Sequence, residues 1–313
     1  PLCDWSSDVC SSDLNMLSAD ALNTFSKSNW ETLGLSKKGP QVVSKFTEDK
    51  ISDLNQDTLL NMLCSSKVTA AVMFNINNNY CWTSKQFEAA IKELSKFGGH
   101  RYDFSGNKWE DVAKARGVSF FLSLSVDVIA LFSKDILQDM LDVDLIRDVI
   151  LKVGETNSWR PNQFSALSAD ALSGLSSDQW KIVAKSTGGA KAVLDLDPDK
   201  IKGLGTDALC AIICASDAIA KIIFNVDSDG SWNGNQFSAA LIAFSSFGGY
   251  YKNKWNEIVK ALGASIFNEL SVAAIQMLSK NIFHDLLDND LIAAVLLNIG
   301  DEGEYWSLDQ FGA

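Results

Sequence analysis

Residues 125–150 read SVDVIALFSKDILQDMLDVDLIRDVI, and their spacing decides the fold. Val128, Ile129, Phe132, Ile136, Leu137, Met140, Leu141, Leu145, Ile146, Val149 and Ile150 recur at intervals of one, three and four. That rhythm is one face of a helix with 3.6 residues per turn. Ile275, Leu278, Ile282, Phe283, Leu286, Leu287, Leu291, Ile292, Val295 and Leu296 repeat it. Cap-forming residues interrupt the pattern at Ser125, Ser133 and Asp142, and again at Asp197 before Pro198, Thr206 and Ser216. Their side chains accept hydrogen bonds from the free N–H groups of a first helical turn, and proline suits the first helical position. The spacing therefore predicts four or five short helices per repeat. Runs alternating at period two are absent. The expected fold class is all-α.

Working outward, the chain repeats. Leu17-Ser18-Ala19-Asp20-Ala21-Leu22 recurs as Leu167–Leu172, and Phe97-Gly98-Gly99 recurs as Phe247-Gly248-Gly249. A shorter period lies inside the long one. The pattern Trp-x-x-x-Gln-Phe occurs at Trp82/Gln86/Phe87, Trp159/Gln163/Phe164, Trp232/Gln236/Phe237 and Trp306/Gln310/Phe311. A second tryptophan follows at Trp30, Trp109, Trp180 and Trp255. Self-similarity at a fixed period marks tandem architectures. We expect four copies of about 75 residues: repeat 1 over 15–85, repeat 2 over 86–162, repeat 3 over 163–235 and repeat 4 over 236–309. Residues 310–313 then begin a fifth. Tandem short helices of this kind form an α-superhelix or stacked helical bundles. Copies one and three resemble each other, as do two and four, so two successive duplications account for the pattern. Both ends look cut, which makes the chain an expected fragment of a longer array. Such a fragment is expected to be less soluble than one extended by a further copy, because terminal repeats normally carry a polar cap.

Composition narrows the function. The 313 residues are 47% hydrophobic and 21% charged, enough for a large core and against disorder. The net charge is −12, with no Lys/Arg cluster to neutralise phosphates, so no nucleic-acid partner is expected. No apolar run approaches the roughly 18–20 residues that span a bilayer. Asp4–Leu14 reads DWSSDVCSSDL, which resembles the conceptual translation of a common sequencing-library adapter. That resemblance implies that residues 1–14 are an artefact to be set aside from fold reasoning. Asp4, Asp8 and Asp13 leave with them, so the net charge becomes three units less negative.

One segment carries candidate metal chemistry. Asn225-Val226-Asp227-Ser228-Asp229-Gly230-Ser231-Trp232-Asn233-Gly234-Asn235-Gln236-Phe237 resembles an EF-hand calcium loop. The resemblance implies that Asn225, Asp227 and Asp229 are ligands, with the Ser231 carbonyl, Asn233 and Gln236 completing the set. It implies weak Ca²⁺ binding, since Gln236 replaces the bidentate Glu and two carboxylates remain. The bland reading is a helix–turn–helix corner built of ordinary turn residues. The sister corners favour it: the first has Asn75, Asn77 and Asn79, and the second has Lys152 and Thr156 where acids are needed. The fourth groups Asp301, Glu302 and Glu304 around Gly303 with one residue inserted. All four keep Trp, Gln and Phe. The Trp and Phe are read as closing the corner, and the Gln amide as tying a backbone group of the turn.

The remaining chemistry is sparse. Cys64 and Cys214 occupy equivalent places, Cys210 lies one turn before Cys214, and Cys81 precedes Trp82. They read as buried free thiols, because a helical i,i+4 pair does not naturally reach disulfide geometry. No Cys/His set suits zinc. His100 and His284 read as surface histidines. The acids around Asp195–Asp199 and Asp285–Asp290 read as caps and first-turn partners of the helix dipole. No residue set marks catalysis or a cofactor. The Leu-Ser-x-Asp-x-Leu phrases between closely spaced caps resemble, at the level of pattern, the helical repeats of the mesothelin and stereocilin family. That resemblance implies an extracellular or cell-surface adhesion role. The expected function is a non-enzymatic helical scaffold that binds another protein, with a weak calcium-binding module as the alternative.

Overall fold

A computed structural model describes residues 16–98, 106–248, 253–297 and 306–313. The adapter-like segment, His100 and the acids of the fourth corner lie outside these residues. The protein is all-α: 66% of it is helix, and no β-strand occurs among the described residues. Two compact units divide the chain between Ile150 and Leu151.

The two units carry the same order of helices. In the first, Ala19–Leu22, Lys27–Leu35, Gly39–Val43, Glu48–Ser52, Gln56–Ser65, Lys67–Phe74 and Ser84–Leu94 follow one another. Some 150 residues on come Ala169–Ser173, Ser177–Lys185, Gly189–Leu194, Pro198–Gly203, Thr206–Ile213, Asp217–Phe224 and Gly234–Phe244. Beyond the Phe-Gly-Gly turn the offset falls to 146, because 247–255 is four residues shorter than 97–109. Lys108–Arg116, Val118–Leu122, Val126–Ile129, Lys134–Leu141 and Asp144–Leu151 then match Lys254–Leu262, Ala264–Glu269, Val272–Met277, Lys280–Leu287 and Asp290–Leu296. The helices are shorter and more numerous than the spacing predicts, with six between Ala19 and Phe74 alone.

Caps explain their brevity. Ser18, Ser26, Thr47, Asn55, Ser66 and Thr83 each precede a helix of the first unit with extended backbone. Each accepts from the backbone N–H three residues on, a contact worth about 1 kcal/mol. Ser168, Ser176, Asp197, Ser216 and Asn233 do the same in the second unit. Two expected caps fall elsewhere. Asp142 ends helix Lys134–Leu141 in right-handed helical backbone, its N–H reaching the carbonyls of Gln138 and Met140. Thr206 is the first helical residue, because the extended residue before that helix is Gly205, as Asn55 is in the first unit.

Helices this short are marginal on their own, so burial of their apolar faces must hold them. Trp30, Trp82, Trp109, Trp159, Trp180, Trp232, Trp255 and Trp306 are all at most 2% exposed. At roughly 200 Å² each and ~25 cal/mol per Å², every one contributes about 5 kcal/mol of transfer free energy before entropy is set against it. In the first unit Trp109 packs against Phe97 (5.2 Å between centroids) and Phe74 (6.4 Å). In the second, Trp255 packs against Phe247 (4.8 Å), Phe244 (5.5 Å) and Phe267 (6.0 Å). Close backbone approaches are duplicated too. A Cβ on Gly39 would lie 1.8 Å from the Leu33 carbonyl oxygen, and one on Gly189 would lie 1.8 Å from that of Val183.

Candidate functional site

The repeated Trp-x-x-x-Gln-Phe motif is a clamp. Trp82 Nε1 donates to the Val43 carbonyl at 3.0 Å, Trp232 Nε1 to Val193 at 3.0 Å and Trp306 Nε1 to Phe267 at 3.2 Å. Each partner lies 39 residues back. The glutamine works from both ends of its amide. Gln86 Nε2 donates to the carbonyls of Ser44 and Phe46, Gln236 Nε2 to Leu194 and Leu196, and Gln310 Nε2 to Asn268 and Leu270. Oε1 of Gln86, Gln163, Gln236 and Gln310 accepts the N–H of the residue three before it. One buried amide thus caps its own helix and holds the end of an earlier one.

The tight turns before Trp82, Trp159 and Trp232 share a geometry. The N–H of Asn77, Gly154 and Asp227 donates to the carbonyl of Trp82, Trp159 and Trp232 at 2.8, 2.7 and 2.9 Å. These three donors have φ of 63°, 78° and 61°, and Tyr80, Asn157 and Gly230 have 60°, 61° and 74°. Two left-handed positions, five and two residues before the tryptophan, therefore define the corner. Asn, Asp and Gly tolerate that conformation best.

The six calcium-ligand candidates all lie on this corner, and four of them hydrogen-bond within it through a side-chain oxygen. Asn225 Oδ1 accepts from Ser228 Oγ at 2.8 Å, and Asp227 Oδ1 accepts from the Gly234 N–H at 2.9 Å. Asn77 Oδ1 makes the same contact with the Ser84 N–H at 3.3 Å. Asn233 Oδ1 caps helix Gly234–Phe244 by accepting from the N–H groups of Asn235 and Gln236. Gln236 turns away into its clamp. Asp229, which is exposed, and Ser231, which is half-buried, complete the candidate set.

The other chemistry-bearing side chains are dispersed. Cys210 and Cys214 face each other with 3.9 Å between sulfurs, and all four described cysteines are free thiols. The hydrogen bond with Cys214, together with burial, pushes the Cys210 thiol well above its ordinary range, while the same hydrogen bond lowers that of Cys214. Lys254, one of the few buried cations, bridges Asp207 and Glu257 at 2.8 Å each, and these two carboxylates hold its pKa above the usual lysine value. Its first-unit counterpart Lys108 reaches Asp57 at 3.4 Å.

His284, Asp285 and Asp288 bring three ligand-type atoms within 4.8 Å of one another. His284 is a surface histidine, 71% exposed, 3.3 Å from Asp288. Asp285 is pressed against Gly248 as Asp139 is against Gly98, whose N–H donates to Asp139 at 3.1 Å. That cluster therefore contains a structural acid.

A feature that no motif marks is a cavity of about 140 Å³ in the first unit, between helix Lys67–Phe74 and the turn after Arg116. Only an alignment of the two copies brings it out of the sequence, through the two cations and the Ser123 hydroxyl that the second copy replaces. No helix is long and apolar enough to cross a membrane among the described residues. Compared with known proteins, the chain matches no family model and no curated sequence.

Proposed function

We propose that this protein is a non-enzymatic helical repeat scaffold that binds another protein. One observation carries the reading: the residues repeated along the chain are spent internally. The Trp and Gln of the motif clamp carbonyls about 40 residues back, the Asn, Asp and Gly residues form left-handed turns, and the Ser and Thr residues cap helices. What repeats is therefore a building plan rather than a reactive constellation. Solenoid and array proteins use such a plan to present a binding face.

The test is reconstitution. Proteins captured by the full chain are purified singly and titrated against it by calorimetry. At least one saturable complex is expected, and its affinity should survive Ca²⁺ chelation. If every captured protein proves non-saturable after purification, the reading fails.

A further inference from the structure

The two copies part company at the first-unit cavity. Lys67, Arg116, Ser119 and Ser123 line it, over a floor made by the rings of Phe74 and Phe120, 5.3 Å apart. Both of its charged residues are cations, in a chain of net charge −12. Among the described residues neither forms an ion pair with a carboxylate. Arg116 Nη2 donates to the Cys64 carbonyl at 2.6 Å, while its Nε is buried and has no hydrogen-bond partner in the protein. Two cations lining one cavity without a carboxylate of their own match a carboxylate in charge.

The second unit shows what the place holds when it is filled. Lys67 corresponds to Asp217, Ala71 to Lys221, Arg116 to Leu262 and Ser123 to Glu269. Lys221 Nζ meets Glu269 Oε1 at 2.8 Å, and that carboxylate holds Lys221 above its ordinary pKa. The second copy thus supplies its own carboxylate from the position where the first has only the small hydroxyl of Ser123. We infer that the first-unit cavity receives a carboxylate from a partner polypeptide, drawn in by the cations of Arg116 and Lys67, with its carbon stem on Phe74 and Phe120. At about 140 Å³ the space is well under the roughly 300 Å³ at which small-molecule sites begin, so it suits a side-chain tip or a chain end rather than a cofactor. The inference rests on the protein-binding reading and gives that partner a chemistry.

The experiment uses the full chain and four probes at matched ionic strength. N-acetyl-glutamate amide offers a side-chain carboxylate, N-acetylglycine a terminal one, inorganic phosphate a different anion and NaCl the screening control. Amide chemical shifts and melting temperature are followed for the wild type, Lys67→Gln, Arg116→Gln and Ser123→Glu. At least one carboxylate should saturate in the millimolar range, and the tighter of the two names the source. Lys67→Gln, an exposed change that leaves the core alone, should weaken it several-fold. Arg116→Gln should weaken it at least tenfold. Ser123→Glu should raise the melting temperature without ligand and abolish the response. The inference is overturned if neither carboxylate exceeds NaCl, if phosphate binds ten times tighter, or if Lys67→Gln and Ser123→Glu respond as the wild type does. A chain that binds a protein but no carboxylate loses this inference alone. One that binds the carboxylate but no protein overturns the scaffold reading and, with it, the polypeptide source inferred here.

Discussion

Tyr80 stands where a tyrosine is costly. Its φ of 60° is left-handed, and its counterparts in the other corners are Asn157 and Gly230. Its ring is 65% exposed, so little packing offsets the strain. Tyr80→Asn should therefore stabilise the protein by about 1 kcal/mol, read as a higher denaturant midpoint with unchanged slope. An unchanged or lower midpoint would show that the ring contributes what the backbone loses. The tryptophans give a second contrast at this scale. Trp232 donates to a carbonyl, whereas the buried indole N–H groups of Trp30, Trp109, Trp180 and Trp255 have no partner in the protein. Trp232→Phe removes one of the hydrogen bonds the Val193 carbonyl accepts, leaving it the Leu196 N–H, while Trp180→Phe removes an idle donor. The first should cost about 1 kcal/mol more than the second. Equal losses would reduce the motif tryptophan to packing alone.

At the scale of the element, the clamp makes Gln236 a donor first. Gln236→Glu keeps the oxygen facing the Asn233 N–H but strips the two bonds to Leu194 and Leu196 and sets a carboxylate against their oxygens. The expected cost is about 3 kcal/mol, and several millimolar Ca²⁺ should not restore it. A calcium-dependent rise in melting temperature in that variant would return the corner to the ligand reading. Lys254 supplies a pH dependence. A raised folded pKa means that stability is full below the unfolded value near ~10.5 and is lost as pH climbs through the folded one. The stability gap between wild type and Lys254→Met should thus stay flat from pH 7 to 10 and shrink above it. A gap that instead shrinks on acidification would point to the carboxylates as the shifted groups.

Helices, most caps and the buried tryptophans were legible in the sequence because periodicity and capping are local. The Gln of the corner was readable as a tie and the Trp as packing that closes the turn, but not the carbonyls both reach, since each is an unremarkable backbone group some 40 residues away. The division of the tryptophans into donors and packers was hidden for the same reason. So was the cavity, which arises from differences between copies rather than from what they share.

For the whole molecule, the duplicated helix order implies that each unit owns a complete core. Residues 151–313 expressed alone should keep a helical circular-dichroism spectrum and melt cooperatively; a broad, non-cooperative melt would show that this core is not self-sufficient. The reach of the clamps also has a meaning in time. The clamp partners of Trp82, Gln86, Trp232, Gln236, Trp306 and Gln310 lie 39 to 42 residues behind their donors. Loop-closure entropy rises only logarithmically with such lengths, and local topologies fold quickly. At translation rates of about 5–20 residues per second, each clamp becomes available roughly 2–8 s after its carbonyls are made. The chain can therefore be locked stage by stage as it leaves the ribosome, without waiting for its far end.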